Sequence, residues 1–236
     1  MTRLSKAAAH VVKADPAFRH IVDTSAPMEL RRQPEDGSPF ESLLSAIVFQ
    51  QLAGAAARTI HGRVVAVLGG APVLPESVLV ASPEALRGAG LSGNKLAAII
   101  DLATKFVDGT VPTHDLDELG DDDIVARLVT IRGVGRWTAE MFLMFRLGRP
   151  DVWPVDDLGV RNGWARIHGL ERSPTPKELA VLGDPLHPFR STAAWYCWRA
   201  AAPVPAVTPP KPARAPVRKP AARAAGRRSP SRPKKA

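Results

Sequence analysis

Leu128-Val129-Thr130-Ile131-Arg132-Gly133-Val134-Gly135-Arg136-Trp137-Thr138-Ala139 reads as the end of one helix, a tight turn and the start of a second helix. Leu128 and Ile131 share a helical face, Gly133 and Gly135 permit backbone angles that a Cβ resists, and Trp137 to Phe145 resumes a helical apolar pattern. A Gly-Val-Gly turn that opens a helix points several backbone N–H groups outward together. Such a turn attracts an anion, and phosphate is the expected one. A bare Gly-x-Gly is more often an ordinary helix end followed by a restart, so the weight rests on the flanking residues.

Outward from the turn, the chain keeps reading as helices. Leu4–Val12 and Ala17–Val22 form two short ones, the second opened by Asp15-Pro16. After a polar loop at Pro34–Pro39, Ser38 and Glu41 make a capping box for a long helix expected from Pro39 to Leu68, with Phe40, Leu43, Leu44, Ile47, Val48 and Leu52 at helical spacing. Ser82-Pro83-Glu84 starts a short helix, and further helices follow at Gly93–Val107, Ile124–Thr130, Thr138–Leu147, Asp157–Ile167 and Pro174–Leu182. No segment alternates with period two, so the body is expected to be all-α: two helical lobes with a groove between them, the helix-hairpin-helix spanning about residues 121–148. Asp121-Asp122-Asp123 is explained by capping and the helix dipole, without a metal.

The domain boundary lies in the charge. Residues 1–202 carry 22 basic and 23 acidic side chains, whereas residues 203–236 carry ten basic and none acidic. The whole net charge of +9 therefore belongs to a Pro, Ala, Lys and Arg-rich tail that is expected to be disordered. No apolar run reaches the roughly 18 residues of a membrane span, and Met1–Asp15 lacks the core of a signal peptide, which gives a soluble, cytoplasmic, nucleoid-associated expectation. The single Cys197 excludes an intramolecular disulfide and a Cys-rich zinc site, and reads as core.

The pattern L-x-x-I-x-G-V-G-x-W-T-A resembles the helix-hairpin-helix of the DNA glycosylase superfamily (HhH-GPD). Twenty residues on, Trp153-Pro154-Val155-Asp156-Asp157-Leu158-Gly159-Val160-Arg161 is similar to the family's catalytic aspartate segment. Within the superfamily, residues 38–200 look like the AlkA-like 3-methyladenine DNA glycosylase II group, without the β-rich N-terminal domain of its longer members and with Ala53-Gly54 in place of more polar residues. The resemblance implies a glycosylase that flips alkylated bases from double-stranded DNA and hydrolyses the N-glycosidic bond, acting as a monomer. It assigns catalysis to Asp157, three residues before Val160, with Asp156 supporting; a carboxylate there would stabilise positive charge on the sugar. Trp137 and Trp198 fall at base-pocket positions, where electron-rich rings attract a cationic base, while Trp195 and Tyr196 read as packing.

DNA contacts are expected at Gly133, Val134, Gly135, Arg136 and Thr138 of the hairpin and at Gln51 or Leu52, either of which is a candidate to fill the gap left by an extruded nucleotide. Trp137 stands where strand-cutting relatives carry a Schiff-base lysine, which points to a monofunctional enzyme. The absent cysteines exclude the four-cysteine iron–sulfur cluster of the endonuclease III branch. No cofactor is expected, apart from a structural K+ or Na+ that the family implies on the backbone carbonyls of Val129, Ile131 and Val134. A bifunctional or mismatch glycosylase and a noncatalytic hairpin protein that only binds DNA are the alternatives.

Overall fold

Ser38 opens the central helix as its pattern requires. Its hydroxyl accepts the Glu41 amide at 3.1 Å, the Glu41 carboxylate accepts the Ser38 amide at 2.9 Å, and Pro39 fills the first helical position. In the computed structural model, which describes residues 4–28 and 38–202, every regular element is helical. Most of the polar loop expected at Pro34–Pro39 and the basic tail lie outside the described residues.

The elements run α1 (Lys6–Ala14), α2 (Arg19–Thr24), α3 (Pro39–Phe49), α4 (Gly54–Val67), α5 (Pro75–Val80), α6 (Pro83–Gly88), α7 (Gly93–Val107), α8 (Asp121–Leu128), α9 (Arg136–Phe145), α10 (Leu158–His168), α11 (Pro176–Leu182) and α12 (Arg190–Ala201). The bounds of α7 match the sequence reading. The expected single helix from Pro39 to Leu68 does not form. It breaks after Phe49, where Gln51 takes a left-handed φ of 56°, and restarts at Gly54. Residues 49–53 contain neither Gly nor Pro, which is why the pattern hides the break. Helix α5 is an addition to the elements expected from the sequence; Pro75 at its first turn and buried Val78 make it a short packing element against α7.

Two groups of helices share one apolar core. In the first lobe, α3 packs against α4 and α7, α5 and α6 cover α7, and α8 pairs with α9. Phe40 of α3 meets Phe106 of α7 edge-on at 5.4 Å. In the second, α10 and α12 lie side by side with α1 and α2 against α12, and Phe18 meets Trp164 edge-on. The α10–α12 approach depends on Gly163: a Cβ there would collide with the backbone of Cys197, itself fully buried as expected.

Candidate active site at the lobe junction

Asp157 is the N-cap of α10, its Oδ1 accepting the Val160 amide at 2.8 Å. That much is ordinary capping chemistry. The rest is not: Oδ1 also accepts Nε1–H of Trp198 at 2.8 Å, and Oδ2 accepts Nε1–H of Trp137 at 2.6 Å. One carboxylate is therefore gripped by an indole from α9 and another from α12, across the junction of the lobes. Three N–H donors fix both oxygens and leave the anion no freedom to rotate.

The chain provides for this approach. Gly159 lies so close that a Cβ would stand 2.8 Å from Cδ1 of Trp198 and 3.0 Å from Oδ1 of Asp157. The loop leading in is pinned as well, since the Val152 amide donates to Ser191 Oγ at 2.9 Å and Arg190 pairs with Asp151 at 2.9 Å. Asp156 is exposed beside the site and Trp137 is 49% exposed, so an indole face is open to a ligand. Trp198 lies 5.9 Å from the Phe145 ring, the two planes tilted by 31°. Trp195 and Tyr196 do not join the cluster; Tyr196 is buried, and Trp195 Nε1 faces the Ala26 carbonyl at 3.4 Å.

A further acid approaches from α9. Glu140 is 4% exposed, its Oε1 3.0 Å from Nε of Arg136. Burial pushes its carboxyl above the usual range; Arg136 opposes the shift, and the negative charges of Asp156 and Asp157 add to it. Neither Glu140 nor Gly159 is prominent in the sequence, because their significance depends on neighbours distant along the chain.

A groove of about 1410 Å³ is walled by α3, α4, the Gln50–Gln51 turn and α9, all first-lobe elements. Trp137 and Phe145 on its α9 wall connect it to Asp157 and Trp198. His61 lines it too, its imidazole kept below the ordinary value by burial despite Glu41 nearby. Phe49, Trp137, Phe142 and Phe145 make the groove aromatic, and Trp137 joins it to the Asp157 carboxylate.

The hairpin joins α8 to α9 with Gly133 at φ 78°. The amides of Gly135, Arg136, Trp137 and Thr138 begin α9 without intrahelical acceptors. The Val134 amide is different: it donates to the Ile131 carbonyl at 3.0 Å, within the turn. Gln51 and Leu52 form the tip of the α3–α4 break, with Leu52 38% exposed. Of the hairpin carbonyls considered for a cation, that of Ile131 already accepts the Val134 amide and keeps a second lone pair.

Comparison with known proteins places this geometry in a family. Residues 44–185 match the HhH-GPD superfamily base excision DNA repair protein model. DNA-3-methyladenine glycosylase 1 of Schizosaccharomyces pombe is 34% identical over 201 residues, covering 84% of this chain and 88% of its own. Among solved structures, the Schizosaccharomyces pombe 3-methyladenine DNA glycosylase in complex with abasic DNA superposes with a TM-score of 0.71 at 34% identity, over 83% of this chain and 96% of that one. A DNA-3-methyladenine glycosidase from Bacillus halodurans gives 0.76 at 35% identity, over 84% and 89%. With its fold, its hairpin and its aspartate segment all within reach of these matches, the chain belongs to the HhH-GPD superfamily of base excision DNA repair proteins.

Proposed function

We propose that this protein is a monofunctional DNA glycosylase that draws an alkylated base of the 3-methyladenine type out of duplex DNA and hydrolyses its N-glycosidic bond. The carrying observation is the Asp157 carboxylate held by Val160, Trp137 and Trp198 beside an aromatic groove. As the base leaves, positive charge builds on the deoxyribose. A carboxylate whose orientation is set in advance stabilises that charge without reorganising, and can then help orient water. An alkylated purine already carries positive charge, so it departs without a proton from the protein, and exposed indole and phenyl faces hold it by stacking and cation–π attraction worth about 0.5–2 kcal/mol each.

The hairpin amides of Gly133, Gly135, Arg136 and Thr138 would bind a backbone phosphate, while the Gln51–Leu52 tip would occupy the stack. At the same turn the carbonyls of Val129, Ile131 and Val134, which are hard oxygen donors, would hold a monovalent cation, which would supply positive charge beside the phosphate. Strand cleavage is not part of the reading. Trp137 cannot form a Schiff base, the Lys95 ammonium is committed to two backbone carbonyls, and Lys105 to Asp101. The enzyme would act as a monomer on double-stranded DNA.

The test is Asp157→Asn, assayed for single-turnover release of 3-methyladenine and for duplex affinity. Removing one well-placed electrostatic group is expected to slow release by roughly 10²-fold to 10³-fold with affinity changed by only a few fold. Near-normal release by the variant would leave Asp157 as a helix cap alone.

A further inference from the structure

The α3–α4 break is held by groups that neither helix supplies. Helix α3 ends at Phe49, and its last carbonyls have no intrahelical donor. The Lys95 ammonium reaches two oxygens at this end, Val48 O and Gln50 O, both at 2.7 Å. Helix α7 gives no local reason for a cation at that position: Lys95 lies in its first turn, which contains no acid and where the helix dipole disfavours positive charge. At the C-terminus of α3 the same charge is favoured. Burial holds the Lys95 amine below its ordinary value, with no carboxylate to offset it.

Two more contacts extend the arrangement. Gln50 Nε2 donates to the Gly133 carbonyl at 3.0 Å, joining the break to the hairpin. Asp101, further along α7 from Lys95, accepts the Arg132 amide at 2.7 Å, so α7 holds the hairpin as well. Between these ties, Gln51 sits at φ 56°, a conformation costing a residue with a Cβ roughly 1–2 kcal/mol unless its surroundings hold it there.

We propose that Lys95 is a positioning residue for base extrusion: with Gln50, it fixes the Gln51–Leu52 tip relative to the phosphate-binding hairpin. This rests on the reading that the tip enters the duplex. A tip that fills the space of an extruded nucleotide is pushed back by the stack, and a loop free to yield would lose the displacement. With α7 as common support, the phosphate grip and the tip act as one rigid body, so pressing on one is resisted by the other. Lys95 touches neither substrate nor reacting atoms in this role.

The experiment is a double-mutant cycle on full-length protein, reading single-turnover release of 3-methyladenine from duplex DNA. The variants are Lys95→Met, which keeps the apolar stem, and a tip variant carrying Gln51→Ala and Leu52→Ala. Each is expected to slow release about ten-fold, and the combination is expected to be no slower than the tip variant alone, because ties to a removed tip have nothing left to position. Lys95→Arg should recover much of the loss, and the Lys95 variants should release the base from single-stranded DNA at wild-type rates, a readout that general damage to the fold would not spare. If Lys95→Met does not fold, Gln50→Ala cuts the other tie at the surface and should show the same non-additivity. Multiplicative losses, or a Lys95→Met enzyme as fast as wild type, overturn the role of Lys95 while leaving the tip reading intact. A tip variant with no effect on duplex substrate overturns the tip reading, and the role of Lys95 with it.

Discussion

Asp157 makes an ordinary capping bond and two further bonds that capping does not require. The carboxylate caps α10 through Val160 and also receives Trp137 and Trp198. Its spacing from the hairpin and from Val160 is legible in the sequence, because both are local along the chain. The hydrogen bonds from the indoles are not, since they join residues 20 and 41 positions apart, and the sequence marks both rings only as stacking surfaces. Trp198→Phe separates the roles by keeping an aromatic face against Phe145 while deleting the N–H. Loss of a charge-assisted bond that orients the anion is expected to slow base release about ten-fold or more, with little change in binding of an abasic duplex. An unchanged rate constant would return Trp198 to stacking alone.

Among the elements, α7 and α9 are readable from apolar period and caps, whereas the α3–α4 break is not. Residues 49–53 contain no Gly or Pro, and neither Gln50 nor Gln51 is a residue that signals a positive φ. What ends α3 is tertiary: a lysine 45 residues away and a glycine carbonyl 83 residues away. Helix α10 illustrates the same limit in its glycines. Gly163→Ala would drive a Cβ into the backbone of Cys197 on α12, a neighbour that cannot swing aside, and is expected to destabilise by about 1–3 kcal/mol or more. Gly62→Ala, in α4 with nothing within 4 Å of its Cβ position, is expected instead to stabilise by up to about 1 kcal/mol. Denaturant midpoints at constant m-value measure both; equal and small shifts would show that α10 and α12 do not need the glycine.

For the whole molecule, charge separates what the folded helices do from what the tail adds. Residues 1–202 are nearly balanced in charge, so on the proposed reading their DNA grip would come from placed donors such as the hairpin amides, while the ten basic residues beyond them would add sequence-independent attraction to phosphates. A protein ending at Ala202 is expected to release bases normally at low salt but to show a flatter dependence of log affinity on log salt, by about 0.9 for each phosphate that the tail would have neutralised. Identical slopes would show that the tail does not touch DNA. The all-helical class follows from the absence of any period-two segment, but the route from groove to Asp157 through Trp137 and Phe145 emerges only when α9 is packed between the lobes.

Monofunctional base excision is tested most directly by the product. Purified protein is incubated with a duplex carrying one alkylated purine, with and without borohydride, and the strands are resolved on a denaturing gel before and after alkali. With Trp137 in place of an amine nucleophile, the free base is expected to be released, no protein–DNA adduct to be trapped, and the strand to break only after alkali. Failure to release the base, a borohydride-trapped adduct, or enzyme-dependent breaks before alkali would contradict it.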